Sequence, residues 1–141
     1  MKKFSFCIGF LLLSFFAIEN VKAADIFFDK GKNLFNEKKY KEAKFNFEKD
    51  IVFNPKNELS YLYLAKIFKI EEKLDLEKNN LDTVILLNPR NEDAIYELAL
   101  LSIKESNFEK ARELIETLET VCKKLCTSKK ELKNKLKNAS K

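Results

Sequence analysis

The sequence predicts an all-α chain: an α-solenoid of antiparallel helix pairs closed by a C-terminal capping helix. Three observations carry this. Sliding the chain by 34 residues superimposes it on itself, with Asn54-Pro55 falling on Asn88-Pro89. Small residues recur on that period at Gly31, Ala65 and Ala99, and at Ala43 and Ala111, two periods apart. Bulky residues keep the same phase, as Phe27, Tyr61 and Ile95, as Tyr40, Leu74 and Phe108, as Phe47, Leu81 and Ile115, and as Phe53, Leu87 and Val121. Two antiparallel helices approach closely only where one presents no bulk, and large side chains then fill the grooves alongside.

Residues 1–23 read as an export signal. Met1-Lys2-Lys3 is a positive start, Phe4–Ile18 is an apolar run of 15 residues, and Val21-Lys22-Ala23 offers small residues for cleavage before Ala24. That run falls short of the roughly 20 residues a spanning helix needs. A retained membrane anchor is the alternative. Cys7 lies inside the run, not at its end, which argues against lipid modification after cleavage. The chain is therefore expected to be periplasmic or secreted.

Three units follow, at 24–57, 58–91 and 92–125. In the first, helices are expected near Asp25–Asn36 and Lys41–Phe53, with Phe27, Gly31 and Leu34 on one face. Gly31 is the only glycine after residue 23, and it lands on the close-approach position. The second unit is expected to run Glu58–Ile70 and Leu74–Leu87, and the third Glu92–Lys104 and Phe108 to about Leu125. Pro55 and Pro89 end helices because proline lacks the N–H and disfavours helical geometry just before it. Glu77 stands in the place of Ala43 and Ala111, which either splays its pair or sends the side chain outwards along its stem.

A terminal unit leaves an apolar face uncovered, so residues 126–141 are read as a basic capping helix and tail. Ser128 and Glu131 have the spacing of a capping box, and Leu125, Leu132 and Leu136 share one side.

The middle unit carries Tyr61, Leu64-Ala65, Phe68, Leu81, Val84 and Pro89 in the order of the tetratricopeptide repeat. Residues 24–125 resemble that family, in three consecutive units without insertions. Lys30 departs from the family's usual leucine and is expected to be exposed; Lys123 stands where proline would. The resemblance implies a right-handed solenoid whose first helices line a concave groove. The groove positions would be Phe28, Lys32 and Phe35 in the first unit. In the second they are Leu59, Leu62, Lys66, Lys69 and Ile70, and in the third Asp93, Tyr96, Leu100 and Ile103. An apolar floor with central lysines suits an amphipathic helix or extended peptide bearing some acidic residues. Family members that clamp a C-terminal carboxylate use Lys, Asn and Arg where this chain has Phe28, Lys32, Tyr63, Asp93 and Glu97. No such clamp is expected.

No catalysis is expected, on several counts. The chain has no histidine, no Gly-rich phosphate loop and no serine in an elbow motif. No cofactor is implied. Cys122 and Cys126 are the cysteines left after cleavage, and two thiols without histidine leave a metal site short of ligands. In an exported protein they are free to pair. One continuous helix through both would hold them badly, whereas a helix ending near Cys122 would let them clip the following turn. The alternative is a pair of small, partly buried thiols.

The net charge of +5 belongs to the tail. Residues 123–141 hold eight lysines against Glu131, whereas residues 24–122 hold 16 basic and 20 acidic residues. That tail is either a solvated face or a peripheral contact for anionic membrane. Nucleic acid is not expected, since no aromatic interleaves the lysines. The functional expectation is a non-catalytic protein–protein interaction scaffold of the bacterial cell envelope, with an unidentified protein or peptide partner. The alternatives are a homo-oligomer whose groove is filled by its own copy, and a membrane adaptor.

Overall fold

A computed structural model of the chain describes residues 19–141. Residues 1–18, with most of the expected export segment and Cys7, lie outside the described residues. Among the described residues there are seven α-helices and no strand. They are α1 (Glu19–Asn36), α2 (Tyr40–Phe53), α3 (Glu58–Ile70), α4 (Leu74–Leu87), α5 (Glu92–Lys104), α6 (Phe108–Val121) and α7 (Ser128–Ala139). The helices α3, α4 and α5 run over their expected spans, and α1 reaches further upstream than the expected Asp25. None of the described helices is long and apolar enough to cross a membrane.

The turns show the 34-residue period most plainly. Lys38, Glu72 and Ser106 stand 34 residues apart, and each takes the left-handed conformation, with φ of 60°, 56° and 60°. In each turn the following N–H reaches back five residues: Lys39 to Leu34 O, Lys73 to Phe68 O and Asn107 to Ser102 O, at 2.9, 2.9 and 2.8 Å. These are Schellman closures, which satisfy carbonyls the helix end would otherwise leave bare. The Asn-Pro links are equally alike. Asn57 and Asn91 donate their N–H to Asn54 O and Asn88 O, both at 3.0 Å. Asn91 then caps α5 by accepting from the Ala94 N–H at 3.0 Å.

The chain divides into two compact units, Met1–Ser60 and Tyr61–Lys141. In the first, α1 packs along α2 around the fully buried Phe47 and Ala43. A Cβ placed on Gly31 would lie 2.8 Å from Phe47 Cε1, so only glycine admits that ring. Phe27 stacks on Phe53, and Phe35 meets Tyr40 edge-on. Asp50 is buried as well. Its Oδ2 accepts from Ser60 Oγ at 2.5 Å and from Asn57 Nδ2 at 2.7 Å.

The second unit has one continuous core, in which Leu62 and Ala65 of α3 meet Leu81, Val84, Ile95, Leu98, Ala99, Leu114 and Leu118. Ala65, Ala99 and Ala111 are 1%, 0% and 0% exposed, as close helix approach requires. Glu77 occupies the corresponding place on α4 and is only 4% exposed. The expectation that its stem leans outwards is therefore corrected: the helix register aims its Cα–Cβ bond at the seam, and the carboxyl stays inside.

Helix α6 stops at Val121, short of the expected Leu125. Cys122 takes φ −62° and ψ 140°, which breaks the helical path, and Cys122 and Cys126 are joined by a disulfide with Cα atoms 5.2 Å apart. Helix α7 then packs on α5 and α6, with Leu132 fully buried and Leu125 and Leu136 against the core. The capping box at Ser128 and Glu131 does not form. Ser128 already lies inside the helix, Thr127 before it has helical geometry without a side-chain cap bond, and Glu131 turns towards Tyr96 and Lys135.

Candidate interaction surfaces

In the first unit, Phe28 is half-buried with its ring 6.0 Å from that of Phe47. Phe35 is half-buried, Lys32 is exposed, and Leu59 is 41% exposed near the start of α3. The expected positions in the second unit divide by depth. Leu62 is 3% exposed and belongs to the core, so its placement on a groove floor is corrected: the α3 register turns it into the cluster that holds Leu81 and Ile95. Leu100 and Ile103 are half-buried against that same core.

Helices α3 and α5 present a charged, partly apolar face to solvent. Lys66 carries its ammonium 5.4 Å from the centre of the Tyr63 ring. Lys69 forms an ion pair with Glu97, bridging the two helices, and Ile70 remains 50% exposed. Asp93 is exposed on the first turn of α5. Tyr96 donates its hydroxyl to Glu131 of α7 at 3.4 Å. Burial, and then the negative charge of Glu131, push the Tyr96 hydroxyl above its ordinary value. The capping helix thus takes up one of the expected groove residues.

Beneath the Lys69–Glu97 pair, Ala65, Leu81 and Glu77 close a crevice too tight for water. Burial raises the Glu77 carboxyl above its ordinary value; Lys69 opposes this and Glu97 adds to it.

Glu92 is a residue whose role the sequence conceals. Its carboxylate accepts from the N–H groups of Lys123, Lys124 and Leu125 at 2.8, 2.9 and 2.7 Å. Those bonds, the Leu125 one foremost, hold it below the ordinary carboxylate range. The three donors lie in the irregular link between α6 and α7, so no helical period points to them. Glu119 plays a parallel part: Lys133 at 2.5 Å, and Lys129 at 3.9 Å, lower its carboxyl and tie α7 to α6. Among the described residues no group of acidic or cysteine side chains is placed to hold a metal ion.

No protein-family model matches the chain, and no curated protein matches it. Solved structures do. The tetratricopeptide domain of Arabidopsis OM64 superimposes with a TM-score of 0.75 at 15% identity, covering 84% of this chain and 98% of that one. The first such domain of Spaghetti (RPAP3), bound to the HSP90 peptide SRMEEVD, gives 0.73 at 18% identity, covering 85% and 95%. The Yersinia enterocolitica type III secretion chaperone SycD, in complex with a peptide of the translocator YopD, gives 0.72 at 11% identity, covering 82% and 91%. The fold is thus an all-α helical solenoid of the tetratricopeptide type.

Proposed function

We propose that this chain is a non-catalytic interaction scaffold of the bacterial cell envelope, which holds a peptide or helical segment of a partner protein. The observation that carries this is the face of α3 and α5, where Ile70 and Asp93 stay open to solvent beside the half-buried Lys66, above a closed core. The core below is filled by residues one step round each helix, so the exposed apolar Ile70 adds little to it. Support comes from the neighbours of like fold whose structures contain bound peptides, an HSP90 peptide in one and a translocator peptide in another. Asp93 and Glu97 place carboxylates where a C-terminal carboxylate would have to be gripped. The bound segment is accordingly an internal one.

The organisation we propose is an export signal at residues 1–23, three repeats at 24–57, 58–91 and 92–125, and a cap at 126–141. Cleavage before Ala24 would leave α1 with the same 13 residues that α3 and α5 have. N-terminal sequencing of the protein from its native cell is expected to begin at Ala24; a chain still carrying Met1 would refute cleavage and favour the retained anchor.

A photoreactive amino acid placed at Ile70 tests the interaction itself. Irradiation in cells is expected to yield one discrete adduct, with none from the same group at Leu86, which is 81% exposed on α4. Equal labelling from both positions, or none from Ile70, would refute the assignment of the face.

A further inference from the structure

The first unit holds a trough that the expected groove does not include. Phe27, Lys30 and Leu34 line it from α1, and Lys41, Phe45 and Lys49 line it from α2, enclosing about 560 Å³. That volume falls within the roughly 300–1,000 Å³ of ordinary binding clefts. Its floor is apolar, and Phe45 is 57% exposed, an aromatic left open to water. The rim is basic. Lys49 hangs between two rings, 4.7 Å from the centre of Phe45 and 5.1 Å from that of Phe27. Lys30 and Lys41 add their charges, and among the described residues Glu42 is the one carboxylate in the lining.

The second unit shows what such a face receives. Ile95 and Leu98 stand two periods beyond Phe27 and Lys30, and they are 0% and 2% exposed. They pack in one cluster with Leu81 and Val84 of α4, the helix before them. The face of a first helix is thus the seat for a preceding helix, and among the described residues no helix precedes α1. Lys30 stands where Leu98 is buried. A wholly apolar helix laid there would strip water from that ammonium without pairing it. A helix with carboxylates beside its apolar stripe would pair it.

We propose that this trough docks an amphipathic α-helix of a partner protein, one whose apolar stripe is flanked by acidic residues. Its leucine-type side chains fill the space over Phe27, Leu34 and Phe45, and its carboxylates meet Lys30, Lys41 and Lys49. The residues from Phe27 to Leu34 extend about 10 Å along α1, which matches about two turns of an occupant. The chain's own apolar run, Phe4–Ile18, carries no carboxylate and lacks this complementarity. The site shares no residue with the α3–α5 face and stands even if that face binds nothing.

The test uses the full chain and a labelled, blocked helical peptide of about 14 residues, with leucines at i, i+3, i+4 and i+7 and glutamates between. A second peptide carries lysine in place of each glutamate. Fluorescence anisotropy is expected to show saturable binding of the glutamate peptide, at least about tenfold tighter than the lysine peptide and weakened by added salt. Phe45→Glu should weaken it at least about tenfold, and Leu86→Glu should leave it unchanged. Because Phe45 is exposed, the variant should keep the parent's helical circular dichroism. The double variant Lys41→Glu/Lys49→Glu should reverse the preference between the two peptides. Equal binding of both peptides, indifference to Phe45→Glu, or no binding at all would overturn the proposal. So would sedimentation showing a dimer that Phe45→Glu dissociates, which would give the trough to a second copy.

Discussion

Replacing Gly31 by alanine sets two effects of opposite sign against each other. In a helix interior, alanine is favoured over glycine by about 1 kcal/mol. Here the added methyl would sit 2.8 Å from Phe47 Cε1, 2.9 Å from Cδ1 and 3.1 Å from Cζ. Carbon atoms rest at about 3.5–4.0 Å, so the ring or the helix must yield by about 0.7 Å. Phe47 is 0% exposed, which leaves the ring no open side to move into. Overpacking of this kind costs about 1–3 kcal/mol. The strain wins, and Gly31→Ala is expected to destabilise the chain by about 1 kcal/mol. Urea unfolding followed at 222 nm should show a lower midpoint, and the melting temperature should fall by about 4 °C. The double variant Gly31→Ala/Phe47→Leu, which shortens the ring, should recover about 1 kcal/mol relative to the sum of the single changes. A raised midpoint for Gly31→Ala, or strict additivity in the cycle, would refute the claim that α1 and α2 meet at this glycine.

Other expectations concern charge and cross-linking in the second unit. Glu77 has a raised folded-state value, so its contribution to stability is present below the ordinary value of about 4.5 and is lost as pH rises through the folded one. Glu77→Gln should therefore raise the urea midpoint at pH 7, and the gain should vanish in acid; a pH-independent effect would contradict burial of the carboxyl. Glu92 is held low, so its contribution is present above about 4.5 and lost as pH falls through its folded value. Glu92→Ala should speed hydrogen exchange at the amides of Lys123, Lys124 and Leu125, with little change in α1 and α2. The closed loop of the Cys122–Cys126 bond is short, so Cys122→Ser/Cys126→Ser should cost at most about 2 kcal/mol. That loss should appear as earlier exchange in α7, and unfolding of the whole chain would show the loop to matter more than its length allows.

The seven helices and their seams are local matters, and the sequence by itself determined them. A 34-residue period, small residues at Gly31, Ala65 and Ala99, and proline after Asn54 and Asn88 each act through nearest neighbours along the chain or across one helix pair. Even the left-handed turns keep that period, although Lys38, Glu72 and Ser106 share no side-chain type that announces them. The tertiary structure alone decided which polar groups go inside and what they meet. Leu62 and Ile70 stand about two helical turns apart, yet one is core and the other is half exposed to water. Glu77 sits where alanine would and is buried under an ion pair between α3 and α5. Glu92 finds its three donors more than thirty residues away, in a link with no pattern of its own. Asp50 is paired by Ser60 and Asn57 at a place where the next helix pair uses Val84. Periodicity encodes which face of a helix turns inwards, because the backbone itself fixes that angle. A hydrogen bond between distant segments depends on how those faces come to rest against one another, and no spacing along a single helix records it.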